Sequence, residues 1–220
     1  MEANNHILYT KKSFSENETI AKSEEHLDYM NNRRTVRKFS NKEIPIQVLE
    51  NIIMAASTAP SGAHKQPWSF CLVTHKDIKH QIRIAAEQEE YKSYNNRMSK
   101  EWLEDLAFIG TNWEKPFLEI APVLIVVFKQ TYEIKNNQKK TNYYVSESIG
   151  IACGFLLEAI HYCGLVALTH TPSPMNFLTQ ILNRPINEKP YLLIPVGYPA
   201  ENTLVPNLVR KSKNEVIIKY

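Results

Sequence analysis

Three stretches of the sequence predict an α+β fold. Residues 122–128, from Pro122 through Val123, Leu124, Ile125, Val126 and Val127 to Phe128, form one unbroken apolar run. That is the pattern of a central strand covered on both faces. Helical periods succeed one another over residues 77–107 instead of alternating singly with strands, which departs from a regular doubly wound order. Residues 146–163 carry the strongest helical pattern, with Ile149, Ala152, Cys153, Leu156, Ile160 and Cys163 on the face to be buried. At 220 residues the chain can bury a sizeable core, and one domain is expected.

The elements follow in order. Residues 1–25 are polar, with Asn4, Asn5, Lys11, Lys12, Ser13, Ser15 and Asn17, and show no sustained apolar period. They are expected to form an arm, disordered alone or draped over a partner subunit, ahead of a single domain over residues 26–220. Arg33, Arg34, Arg37 and Lys38 then crowd cations that repel one another unless an anion neutralises them. Arg34 and Arg37 are spaced to share a helical face, Arg33 lies one turn from Arg37, and guanidinium is the group best matched to phosphate. Pro45 is suited to the first position of a helix marked by Leu49, Ile52, Ile53 and Ala56. That helix runs into Ala59, Pro60, Ser61, Gly62, Ala63 and His64, a shaped turn of small residues that would let a ligand approach backbone N–H groups.

A strand is expected over residues 69–73, and a helix after Asp77 marked by Ile78, Ile82, Ala85 and Ala86. Residues 87–100 are strongly polar; Glu90 and Tyr94 are one helical turn apart, so a carboxylate and a phenol can face the same way. Trp102, Leu103 and Leu106 mark the next helix, and residues 111–116 break it. Residues 129–141 read as a polar surface loop. Gly150, Ala152 and Gly154 place small residues in the middle of the strongest helix, which points to close packing against another element, a partner subunit among the candidates; Gly164 caps it. Residues 165–169 read as a strand leading to a turn at His170, Thr171 and Pro172. Residues 177–182 read as a short helix, 191–196 as a buried strand, and 205–211 as an extended basic tail.

Composition removes several function classes. A net charge of +3 suits a small anionic ligand but does not call for nucleic acid. Three cysteines without a Cys-x-x-Cys spacing read as buried apolar residues in a reducing compartment. No apolar run is long enough to span a membrane and no signal peptide is visible, so a soluble, cytoplasmic chain is expected. No metal-ligand spacing appears, and no metal is expected. With six glycines and no Gly-x-Gly-x-x-Gly, Walker or Gly-x-Ser-x-Gly motif, neither a glycine-rich phosphate loop nor a serine-hydrolase elbow is present.

Taken together, Arg33–Arg34–Thr35–Val36–Arg37, Ala59 to His64, and Pro195–Val196–Gly197–Tyr198–Pro199 resemble the flavin-dependent nitroreductase superfamily. Glu90 with Tyr94, Arg97 and Met98, then Thr111 to Lys115, then Thr169–His170–Thr171–Pro172 look like its iodotyrosine deiodinase branch. The resemblance runs from about residue 29 to the C-terminus. It implies a nitroreductase-like fold, a central mixed sheet flanked by helices, and an intertwined homodimer with FMN at the interface. It places Arg33, Arg34, Thr35, Val36, Arg37, Ser61, Gly62, Thr169, His170, Thr171 and Arg210 around FMN, with Thr171 as the catalytic residue whose hydroxyl lies near flavin N5. There it would support one-electron chemistry, and so reductive dehalogenation. The Ala63 N–H would bond the substrate phenolate, while Glu90, Tyr94 and Lys115 would grip the zwitterion of a halotyrosine under a lid. His170 stands where the family often has Thr or Ser.

The implied partners are a second copy of the chain, a halotyrosine carrying iodine or else bromine or chlorine, and a reductant, either an NADPH-dependent reductase or another electron donor. Animal members carry an N-terminal membrane anchor; none is visible in this sequence, so a soluble form is expected. Two alternatives remain: a general NAD(P)H-dependent FMN nitroreductase or quinone reductase on the same fold, from which the Glu90, Tyr94 and Lys115 set discriminates, and a non-catalytic flavin-binding protein.

Overall fold

The computed structural model describes residues 6–220, which divide into two compact units after Arg33. The first contains helix α1 (Glu16–Asn31), which buries no residue. Its N-terminus is set by a capping box: the Ser15 side chain accepts from the Glu18 N–H, and the Glu18 carboxylate accepts from the Ser15 N–H at 2.8 Å. The arm expected over residues 1–25 is therefore helical from Glu16, and the helix continues past that boundary. Caps rather than an apolar stripe form this helix, so periodicity does not reveal it. Asn4 and Asn5 lie outside the described residues.

The second unit is built on a four-stranded sheet in the order β1 (Trp68–Val73), β2 (Val123–Gln130), β6 (Glu188–Gly197), β5 (Val166–Ala167). These strands pair antiparallel, and a parallel bridge between Thr35 and Ala167 makes the assembly mixed. β2 is central, and its residues from Val123 to Phe128 are at most 2% exposed. Successive side chains of a strand point to opposite faces. Val123, Ile125 and Val127 accordingly pack with α2 (Ile46–Ser57) and α6 (Val145–Tyr162), through Leu49, Ile52, Ile149 and Leu156. Leu124, Val126 and Phe128 pack on the other face with α3 (Lys76–Lys92), α5 (Phe117–Ile120) and α7 (Asn176–Ile181), through Ile82, Ala86, Leu118 and Leu178. The central sheet flanked by helices is thus dictated by one uninterrupted apolar strand.

Local expectations change in three places. Residues 129–141 are not a loop: β3 (Tyr132–Lys135) and β4 (Gln138–Thr141) form a hairpin. Asn136 and Asn137 both have positive φ, 53° and 58°, as a tight two-residue turn requires. Arg34 and Arg37 do not share a helical face, because the chain is extended after α1, with the Val36 N–H bonded to the Ala167 carbonyl at 3.2 Å. Pro45 is the N-cap of α2, one residue before the expected position. Between α3 and β2, a π-helical turn at Ser93–Arg97 precedes α4 (Lys100–Phe108), which buries no residue. A short helix, α8 (Lys213–Val216), lies in the tail.

Gly164 ends α6 with φ +71°. Its N–H bonds the His161 carbonyl and the Leu165 N–H bonds that of Ile160, closing the helix in a left-handed cap. Gly164→Ala is expected to lower stability by about 1 kcal/mol, read from the shift of a urea transition; an unchanged transition would show that the cap tolerates a side chain.

Candidate functional site

Helix α3 presents Lys79, Arg83, Glu87 and Glu90 at spacings that share one face. That face meets the segment from Thr111 to Ala121. Lys79 Nζ donates to the Glu119 and Ala121 carbonyls at 2.9 and 2.8 Å. Arg83 donates to Glu119 Oε2 at 3.1 Å and to Glu87 Oε1 at 2.8 Å. Glu87 Oε1 also accepts from the Lys115 backbone N–H at 2.6 Å. Glu90 Oε2 lies 3.4 Å from Lys115 Nζ. The residue that breaks the helical pattern in sequence is therefore gripped by the helix before it, at main chain and side chain alike.

Glu90 and Lys115 are buried, 8% and 3% exposed. Burial pushes the Glu90 carboxyl up, with Lys115 opposing, and pushes the Lys115 ammonium down, with Glu90 opposing. For both groups loss of water outweighs mutual attraction, so each remains short of opposite charge. Lys115 Nζ also donates to the Asn112 carbonyl and approaches Thr111 Oγ1 at 3.4 Å. It lies 5.4 Å from the centre of the Tyr94 ring, which the π-helical turn carries. Arg97 anchors that turn to Glu89 at 2.9 Å and to the Ser173 carbonyl at 3.3 Å. Glu90, Tyr94 and Lys115 thus come together from two segments.

His170 completes the cluster. Its backbone pairs with Leu193, and its ring is 3.9 Å from Glu90 Oε1 and edge-on to Phe117. Burial, with the nearby Lys115 and Arg37 charges, lowers its pKa from 6.5 to about 3, so the imidazole is neutral. Nε2 is buried without a hydrogen-bond partner. Thr169 and Thr171, on either side of it, are exposed. In an extended segment neighbours alternate, so His170 points to Glu90 while the two threonines share the open face.

Thr35 and Val36 are held beside Ala167, which brings Arg37 to this neighbourhood. Arg37 is half-buried, its pKa is lowered by desolvation, and no carboxylate pairs with it among the described residues. Arg34 donates to the Pro206 carbonyl, tying the tail to the basic segment; Arg210 is exposed. Arg33 closes the first unit, its N–H bonded to Met30. The half-buried Arg37 guanidinium, which no carboxylate faces among the described residues, fits a phosphate group, which supplies the missing anion.

Ser61, Gly62 and Ala63 form a separate station. The Gly62 N–H donates to Ser148 Oγ at 3.3 Å, Ser61 Oγ accepts from the Gln66 N–H at 2.9 Å, and Lys65 pairs with Glu133 at 2.6 Å. Among the described residues, no hydrogen bond joins this turn to the Glu90 cluster. Ala63, His64 and Gln66 all have positive φ, between 46° and 53°, a strain that persists where surrounding bonds impose it. A Cβ on Gly62 would stand 3.0 Å from the Tyr143 carbonyl, so the turn closes against the chain that leads into α6.

Sequence reasoning did not single out Arg83, Glu87, Glu119 or Lys79. The signal was available: Arg83, Glu87 and Glu90 recur at helical spacing on the polar side of α3, next to a segment containing Lys115. Among the described residues no group of His, Cys, Asp and Glu could hold a metal ion.

The nitroreductase family model matches residues 30–198. The chain is 61% identical to an iodotyrosine deiodinase of Haliscomenobacter hydrossis over 97% of both chains. It is 42% identical to human iodotyrosine deiodinase 1, over 97% of this chain and 74% of that protein. A crystal structure of oxidised iodotyrosine deiodinase bound to FMN and 3-iodo-L-tyrosine superposes with a TM-score of 0.74 at 33% identity, covering 88% of this chain and 97% of that one.

Neutral His170 in the fold and a protonatable histidine in the unfolded chain give the unfolded state the extra proton between about pH 3 and pH 6.5. Stability therefore rises with pH through that window, by up to about 1.4 kcal/mol per pH unit from this group. His170→Gln is expected to flatten the acid limb, narrowing the loss between pH 7 and pH 5 by about 2 kcal/mol in urea titrations. Equal slopes in the two proteins would contradict a buried neutral imidazole.

Proposed function

The chain belongs to the nitroreductase family, in its iodotyrosine deiodinase branch, and from that membership we propose that it catalyses the FMN-dependent reductive dehalogenation of halotyrosines, releasing tyrosine and halide. The observation that carries the reading is the buried Glu90–Lys115 pair beside Tyr94, one group of each sign, 3.4 Å apart and each under-compensated. A zwitterion inserted between them supplies an ammonium to Glu90 and a carboxylate to Lys115. A nitroaromatic or quinone offers neither, so this pair favours the dehalogenase over a general nitroreductase.

Arg34, Arg37 and, from the tail, Arg210 hold the FMN phosphate; Thr35, Val36, Ser61, Gly62, Thr169 and Thr171 line the ring. When bound, FMN supplies the two electrons that, with a proton, replace the carbon–halogen bond by carbon–hydrogen. The Ala63 N–H donates to the substrate phenolate, favouring the ionised form. The Thr171 hydroxyl, on the open face of its segment, donates toward the ring. His170 faces Glu90 instead, and its role is to border the ammonium subsite. α4, which buries no residue, is the part of the fold best suited to close over the substrate and exclude water.

The site spans two copies of the chain. Ser61 to Ala63 stand apart from the Glu90 cluster, and α6 leaves Ile151 and Phe155 44% and 42% exposed beside Gly154, whose added Cβ would meet nothing within 4 Å. A second copy covers this apolar face and brings its turn to the cluster. A reductant, an NADPH-dependent reductase or another electron donor, reloads FMN. No helix among the described residues is long and apolar enough to cross a membrane.

Purified protein with FMN and dithionite should release iodide from iodotyrosine, and iodotyrosine should quench flavin fluorescence far more than tyrosine does. Quenching by neither, in protein that retains FMN, would favour the general nitroreductase. Lys115→Ala should lower kcat/KM for iodotyrosine by a factor corresponding to about 2–5 kcal/mol, since it strands a buried carboxylate. Sedimentation should give a dimer; a stable monomer retaining FMN would contradict the shared site.

A further inference from the structure

We infer that Glu87 is a positioning residue for substrate recognition: its carboxylate fixes the Lys115 main chain so that the ammonium is held at the zwitterion subsite. This rests on the proposed function. Lys115 sits in an irregular segment between α4 and α5, and a flexible four-carbon stem on an unanchored backbone would not aim its charge. The anchor is the 2.6 Å bond from the Lys115 N–H to Glu87 Oε1. Glu87 is itself fixed, because Arg83 Nε donates to the same oxygen at 2.8 Å while Arg83 reaches Glu119 Oε2 at 3.1 Å. His80 bonds the other Glu119 oxygen. Glu119 lies four residues beyond Lys115, so α3 grips the segment at Lys115 and again at Glu119.

The arrangement separates two tasks along one helix face. Glu90 meets the Lys115 side chain and is the group a substrate ammonium would engage; Glu87 touches only its main chain. The Glu87 side chain is 12% exposed, so its bond competes little with water.

The test compares Glu87→Ala and Glu87→Gln in the FMN-loaded protein. It uses calorimetric binding of iodotyrosine, dithionite-driven iodide release from iodotyrosine and from ortho-iodophenol, and hydrogen exchange at the Lys115 amide. Glu87→Ala should weaken iodotyrosine binding about tenfold, the size of one hydrogen bond to a charged group. KM for iodotyrosine should rise with it, and the Lys115 amide should lose protection. Release from ortho-iodophenol, which has no zwitterion to be gripped, should change less than about twofold, within the scatter of a neutral substitution. Glu87→Gln keeps an acceptor for the N–H and should recover most of the affinity. Equal losses on both substrates, or loss of FMN in both variants, would make Glu87 merely structural and overturn the proposal. Unchanged iodotyrosine binding in Glu87→Ala would overturn it alone, whereas wild-type protein that ignores iodotyrosine would remove the reading beneath it as well.

Discussion

A carboxylate and an ammonium taken out of water together are tolerated only if something else compensates them. In Glu90 and Lys115 the compensation is incomplete, since burial dominates the pKa of each. Such a pair is weak evidence for stability and better evidence for a site that awaits opposite charge. Much of the surrounding structure serves to keep the two groups in place. α3 supplies Glu90, the lower turns of the same helix hold the segment that carries Lys115, and the π-helical turn sets Tyr94 against both. The central sheet in turn fixes α3, whose Ile82 and Ala86 lie beneath the polar stripe and pack on β2.

The same physics places Arg37. Its half-buried guanidinium has no carboxylate to face, and neither has the neutral His170 ring a donor or acceptor at Nε2. A neighbourhood with the under-compensated Arg37 cation beside an under-compensated ion pair suits a ligand anion next to a zwitterion. That is the charge pattern of a phosphate-bearing cofactor beside an amino acid.

Most of the architecture was legible from apolar pattern, because β2, α2, α3 and α6 bury wide apolar faces. What escaped was held by polar or backbone terms. α1 is a helix of caps, with no stripe to detect. The β3–β4 hairpin rests on two left-handed asparagines inside a stretch that looks merely hydrophilic. Arg34 and Arg37 satisfy helical spacing, yet a bridge to Ala167, remote in sequence, draws them into an extended strand-like segment. Glu90, Tyr94 and Lys115 were recognisable as a motif. The side chain that secures Lys115, Glu87, looked like any solvated glutamate, because its partner is a backbone N–H that no sequence pattern displays.

The order of pairing in the main sheet has a consequence for how the chain acquires this structure. None of its strand pairs is a hairpin: β1 and β2 enclose α3, α4 and α5, while β2 and β6 enclose the β3–β4 hairpin, α6, β5 and α7. Closing such long excursions costs chain entropy before the sheet returns any contact, so assembly is expected to be slow and highly non-local. Glu90, Tyr94 and Lys115 all lie inside the first excursion. Their contacts close a shorter loop than the β1–β2 pairing that encloses them, so the recognition groups can meet before the sheet does.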